Sequence, residues 1–314
     1  MYMPQLSDRA KASLDNVAAF VKWLFYACLT GVVVGLVAVA FHVGIDIAAE
    51  TRERYPQIIW LLPVAGPAII LLYKACGMAE DRGTNRVLVA VRDAKQLKLR
   101  PAPLIFLSTI CTHLAGGSAG REGAALQLGG SLAAFTGKKL GLDDLDERTM
   151  VMCGMAAAFS ALFGTPLTAA IFAMEVVTVG RMYYAALVPC LASSATALMV
   201  ARAFQLHLDG DYPVYDALQL SPLALVQAVG LGILCALLSI LFCVVMHITP
   251  KLYAKYLPNP TLQAAVGGTL VLILTLLVGS QTYNGAGDPV IRRLLAGDTI
   301  PQAFALKLLF TALP

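Results

Sequence analysis

The chain has 314 residues, of which 58% are hydrophobic and 13% are charged, with a mean hydropathy of +0.74 and a formal net charge of +4. A soluble domain carries about a quarter of its residues as charges. The composition therefore excludes the water-soluble classes and points to an integral membrane protein, with no nucleic-acid partner expected.

Helix spans of about 20 apolar residues cross roughly 30 Å of hydrocarbon. Candidate runs lie near Val17–Ala49, Ile58–Cys76, Leu104–Ala115, Met150–Val179, Ala185–Phe204, Leu223–Ile248 and Leu262–Val278. Some are too short, or too broken by glycine and proline, to be simple spans. The first run is about twice the length of a signal-peptide core and no small-residue cleavage site follows it, so it is expected to stay in the mature protein. Arg9, Lys11 and Lys22 precede or open it, and Lys74, Arg82, Arg86, Arg92, Lys95, Lys98 and Arg100 follow the second run. Only Arg52 and Arg54 lie between these clusters. By the positive-inside rule both clusters face the cytoplasm, which predicts an inside N-terminus in a multi-pass protein of the cell's inner (plasma) membrane.

Between the second and third runs, Val87–Val91 reads as a short helix that cannot cross the membrane. The stretch "GKKLGLDDLDERT" reads as a charged connector outside the hydrocarbon. Gly164-Thr165-Pro166 is expected to split Met150–Val179 into two helices, because proline disfavours helix in the residue before it. A second polar connector, "QLHLDGDYPVYDALQLSP", separates two halves. The predicted organisation is a first membrane repeat over 1–205 with a Gly-rich loop at 116–130, a connector at 206–222 and a second repeat over 223–314. Weak internal similarity accompanies that division: Gly83, Leu104, Leu107 and Thr109 coincide, 202 residues on, with Gly285, Leu306, Leu309 and Thr311. In both copies a Gly-led, short amphipathic segment precedes an apolar helix.

Seven cysteines sit singly in apolar segments without C-x-x-C spacing, and four histidines are scattered, so neither a metal nor another cofactor is expected. H-E-x-x-H, P-loop and G-x-S-x-G signatures are absent.

The stretch "GGSAGREGAALQLGGS", Gly116–Ser131, puts Arg121 and Glu122 inside a run of small residues. Small residues let backbone approach backbone or ligand, and irregular backbone survives at membrane depth only where it lines a cavity or is buried in protein. A helix starting near Gly123 would aim free N–H groups at such a cavity, which favours an anion. Glu122 could then compete with a mobile anion when charged and withdraw when protonated, serving as gate and proton carrier. Arg121 is expected to meet a carboxylate or backbone carbonyls, since a charge at depth must be partnered. The bland alternative is a small-residue helix-packing surface with a structural ion pair. A rival of another class is a membrane-embedded enzyme with Glu122 as general acid or base, which would need Ser118, His113 or Ser131 as its partner.

"GREGAALQLGG" resembles the G-R-E-G-P-x-V-x-x-G filter motif of the CLC family of chloride channels and proton-coupled anion antiporters, and "AAAFSALFGTPLTAAIFAMEVV" is similar to the family's next two helices. The resemblance implies an all-α membrane homodimer built from inverted repeats of tilted and broken helices, with filter residues at helix N-termini and one anion path per subunit. It implies transport of chloride, or alternatively fluoride, coupled to protons through Glu122 as gating residue; a passive channel of the same family is the second reading. The anion-binding set it implies is Thr84, Gly120, Arg121, Gly123, Ala124 and Ala125. Thr84 stands for the serine of the family's G-S-G-I-P motif and keeps its hydroxyl. Ala124 replaces the motif's proline and adds one N–H donor. Glu175 is the candidate internal proton acceptor, although Val176 aligns with that position; its alternative role is an ion pair with Arg181. Loss of the usual acceptor is shared with the fluoride-exporting branch. The family's G-x-F-x-P motif and a later tyrosine do not occur in these 314 residues. The expectation is therefore the N-terminal three-quarters or so of such a transporter, with an incomplete second repeat.

Overall fold

The computed structural model describes residues 6–78, 84–93, 97–177, 180, 182–206, 221–298 and 301–312. They form α-helices and two short 3₁₀ turns, with no strand among the described residues: α1 Leu6–Arg54, α2 Leu62–Ala75, α3 Thr84–Asp93, α4 Pro101–Ala115, α5 Glu122–Lys139, α6 Asp144–Phe163, α7 Pro166–Glu175, α8 Leu187–Ala203, α9 Pro222–Tyr256, α10 Pro260–Val278, α11 Asp288–Leu295 and α12 Ala303–Ala312. Among the described residues five stretches are long and apolar enough to cross a membrane: Ser13–Arg54, Pro56–Ala75, Tyr184–Ala203, Pro222–Tyr256 and Pro260–Val278. Each apolar run of the sequence overlaps at least one α-helix. Most of the second connector, 207–220, lies outside the described residues, as do Arg181 and the side chain of Thr84.

Two compact units interleave along the chain. The first takes residues up to Gly44, Glu80–Leu107 and Arg121–Asp211; the second takes Ile45–Ala79, Ser108–Gly120 and Tyr212–Pro314.

In the first unit α6 is the central helix. From Thr149 to Leu162 every position but Phe159 is buried, and a helix apolar all round can be stable only when covered on all sides or set in lipid. It packs against α5, α7 and α8. The α5–α6 contact depends on glycine: a Cβ on Gly129 would fall on the carbonyl of Gly154, and one on Gly154 on the carbonyl of Gly129. On α5 the neighbouring Gly130 makes room for Val87 of α3, whose Cγ1 lies 2.7 Å from where a Cβ would stand.

The helix break appears as expected. Gly164 closes α6 in the left-handed region at φ 72°, its N–H donates to Ser160 O, and Pro166 opens α7 at a position that needs no donor. The charged connector is shorter than the sequence suggested. Gly137–Lys139 belong to α5 and Asp144–Thr149 to α6, leaving Leu140–Asp143 as the link. Asp143 explains the early start: its backbone is extended and its side chain accepts the Asp146 N–H at 2.8 Å, the geometry of an N-cap.

In the second unit α2 packs against α10. Gly268 sits under the Leu62 carbonyl, 2.7 Å from where its Cβ would be, and Gly66 meets Ala264. Leu62, Ala115, Val271, Tyr283, Val290, Ala303 and Phe310 form the core of this unit. α9 is apolar along 35 residues and buries none of them. In water that would be untenable, so lipid is the solvent for at least part of its surface.

Candidate functional site

The Gly-rich loop begins where α4 ends. Gly116 is left-handed at φ 88°, its N–H donates to His113 O at 3.2 Å, and the Gly117 N–H reaches Thr112 O at 2.9 Å. This is the six-to-one closure typical of a glycine-terminated helix. The segment from Gly116 to Gly120 carries almost no side chain of its own, so neighbours must fix it.

Three groups of the second unit do so. Asn284, 1% exposed, donates from Nδ2 to Gly116 O at 2.7 Å. The Gly285 N–H donates to Gly117 O at 3.1 Å. The Lys307 ammonium donates to Ser118 Oγ at 2.8 Å and also to Tyr283 O and Gly285 O at 3.0 and 2.6 Å. The Arg52 guanidinium, 5% exposed, donates to His113 O at 2.6 Å.

The loop then enters α5 in the first unit. Arg121 takes the cap position at φ −108°, ψ −8°, and no side chain caps the helix. The first helical bond closes from Ala125 N–H to Arg121 O at 2.9 Å. The N–H groups of Glu122, Gly123 and Ala124 therefore have no intrahelical acceptor, and the positive end of the helix dipole is left open at that point. Glu122 is exposed and makes no side-chain hydrogen bond or ion pair among the described residues. Arg121 is 3% exposed and Ala125 is buried, while Gly123 and Ala124 are half-buried. An uncapped helix start with a carboxylate on its first residue can hold an anion, and that carboxylate can compete for the place.

The other sequence candidates are distributed as follows. Thr84 opens α3, which packs against α5. Glu175 is the last residue of α7 and is exposed, with Val176 after it as the helix cap. The two readings of the small residues divide along the stretch: Gly129 and Gly130 are packing contacts, whereas the segment ahead of Glu122 is a hydrogen-bonded loop. Of the residues a hydrolytic chemistry would need, Ser118 Oγ accepts from the Lys307 ammonium at 2.8 Å and lies 2.9 Å from Thr311 Oγ1. His113 and Ser131 are each 2% exposed. Among the described residues no group of three His, Cys, Asp or Glu side chains could hold a metal ion.

Arg52, Asn284 and Lys307 were not identified from the sequence. Lys307 had a visible signal, a lone charge in the apolar run "AFALKLLFTA". Arg52 looked like one of two isolated charges after a span, and Asn284 like an ordinary loop residue.

The profile of the voltage gated chloride channel family matches residues 65–314. A chloride/fluoride channel protein of Pseudomonas syringae pv. tomato is 32% identical over 310 residues, covering 96% of this chain and 68% of the relative. The chain spans 50% and 44% of the length of the next two curated relatives. Among solved structures, a CLC-type fluoride/proton antiporter superposes with a TM-score of 0.88 at 27% identity, covering 94% of this chain and 75% of that one. A slow cyanobacterial Cl−/H+ antiporter superposes with a TM-score of 0.78, covering 93% of this chain and 72% of that one. At 17% identity it speaks for the fold alone.

Proposed function

The chain belongs to the voltage gated chloride channel family, and on that premise we propose that it moves a halide anion across the membrane in exchange for protons, with Glu122 as gate and proton carrier. The observation that carries the reading is the uncapped start of α5 with Glu122 on its first residue. A charged Glu122 occupies the open N–H groups in place of the anion; a protonated one releases them and takes the proton with it. Thr84, Gly120, Arg121, Gly123, Ala124 and Ala125 are the proposed surroundings of the anion, and Glu175 is the proposed internal proton acceptor.

Fluoride is proposed beside chloride. A small, hard anion gains most from hydrogen-bond donors, and alanine at 124 supplies an N–H that proline would lack. The chloride/fluoride name of the Pseudomonas relative and the fluoride/proton antiporter title of the structural neighbour favour the same choice.

In the proposed arrangement the protein is a homodimer of the inner membrane, with its N-terminus in the cytoplasm as the flanking basic residues direct. Two repeats, 1–205 and 223–314, are joined by 206–222. Supporting the repeats, α3 and α11 are short amphipathic helices, each followed by an apolar one that begins at Pro101 and Ala303 respectively.

The test is reconstitution of the complete protein in liposomes with an imposed anion gradient and no proton gradient. Proton movement driven by either chloride or fluoride is the expected result; anion flux without any proton movement would favour the passive channel. Chloride flux with no fluoride flux at matched gradients would remove fluoride from the proposal.

A further inference from the structure

Lys307 is the one charged residue of the ten-residue helix α12, whose only other polar side chain is Thr311. A charge there is costly unless its donors are met. An ammonium has three donors, and Lys307 has three oxygens around it: Tyr283 O, Gly285 O and Ser118 Oγ. The first two belong to the loop "YNGAG" and the third to the Gly-rich loop, so one side chain ties two glycine-rich segments together. The loop "YNGAG" is shaped for this. Gly287 is left-handed at φ 104°, and a Cβ there would stand 3.2 Å from Lys307 Cε. Gly285 is left-handed at φ 69°, and a Cβ there would stand 3.3 Å from Arg52 Nη2.

We propose that Lys307 is a positioning residue for the anion loop: through Ser118 and the Tyr283–Gly285 backbone it holds the segment that runs into Glu122. This inference rests on the reading of that loop as the anion gate. The segment Gly116-Gly117-Ser118-Ala119-Gly120 has more backbone freedom than almost any other composition allows. Its fixed points are Gly116 O on Asn284, Gly117 O on the Gly285 N–H, and Ser118 Oγ on Lys307 and Thr311. Lys307 holds the fixed point nearest in sequence to Glu122, and through Gly285 O it also supports the neighbouring one. Removing its ammonium takes a donor from two carbonyls and from a hydroxyl that is then left to Thr311 Oγ1 alone. The gate carboxylate then samples more positions, and anions pass without a matching proton.

The experiment uses the complete protein in liposomes, normalised to folded protein by size-exclusion chromatography, with chloride and fluoride as the anions. Wild type is compared with Lys307→Met, Lys307→Arg, Ser118→Ala and Glu122→Gln, and the proton-to-anion ratio is the readout. For Lys307→Met the ratio falls by about twofold or more while anion flux persists, twofold being the lower end of what one lost hydrogen bond produces. Lys307→Arg, which keeps a charged donor, restores most of the ratio. A wild-type ratio in folded Lys307→Met overturns the proposal. If Lys307→Met does not fold, Ser118→Ala decides: a lowered ratio supports the proposal and an unchanged one overturns it. Glu122→Gln separates the two levels. If it keeps the wild-type ratio, the gate reading itself fails; if it loses proton coupling while Lys307→Met does not, only the positioning role is wrong.

Discussion

Gly129 illustrates how much a single residue without a side chain can decide. Its Cα faces the Gly154 carbonyl, with the Ala158 methyl 2.7 Å from where a Cβ would stand. A larger side chain must push α5 off α6, the central helix of the unit. Gly129→Leu is expected to cost about 1–3 kcal/mol or more, as overpacking of a tight contact does, and to lower the unfolding temperature of the detergent-solubilised protein. Unchanged thermal stability would mean that the two helices are not in contact there. At this scale the sequence was legible where residue type implied chemistry. Glu122 and Arg121 stood out as charges among small residues, and Gly164-Thr165-Pro166 as a break. Asn284 and Arg52 were not legible, because their roles depend on contacts across 168 residues, in the case of Asn284 with Gly116, and 61 residues, in the case of Arg52 with His113.

Among the elements, α6 shows what a cap adds. Its start was read as connector because "DDLDERT" is dense in charge, yet those charges suit the first turn of a helix, where the dipole favours acids. The signal was present: an aspartate followed by acidic residues ahead of an apolar run marks a helix start. Asp143→Ala is expected to destabilise by about 1 kcal/mol, the usual cost of an N-cap, measurable as a shift in thermal unfolding. The same turn gives a pH dependence. Burial and then the neighbouring Asp143 raise the Asp146 carboxyl, against Lys22; burial and then Asp144 raise Glu147, against Lys138. A carboxyl whose folded pKa lies above its unfolded value binds protons more readily in the native state. Stability from these two groups is therefore fully present below the ordinary carboxylate values of about 3.9 and 4.3 and is lost as pH rises through their raised values. The double substitution Asp146→Asn, Glu147→Gln should flatten the thermal stability of the solubilised protein across that window. An unchanged slope would place its source elsewhere.

For the molecule as a whole, hydropathy made the helices legible and left their arrangement open. Apolar runs mark what lipid can accept, but which residues gather into a unit depends on contacts between distant stretches. The first unit draws on three separate segments of chain, and so does the second. Composition alone also gave no reason for α9 to bury no residue while α6 is enclosed, since both are apolar and both carry small residues. The family motif supplied what periodicity could not, an expectation about which helix start carries the chemistry.

The central claim is that the carboxylate on the first residue of α5 couples anion movement to protons. The most direct measurement is proton movement in liposomes containing Glu122→Gln in the complete protein, under an anion gradient that drives protons uphill in wild type. A neutral amide neither competes as an anion nor carries a proton, so the expected result is continued anion flux with proton movement abolished. Uphill proton movement that persists in Glu122→Gln would contradict it.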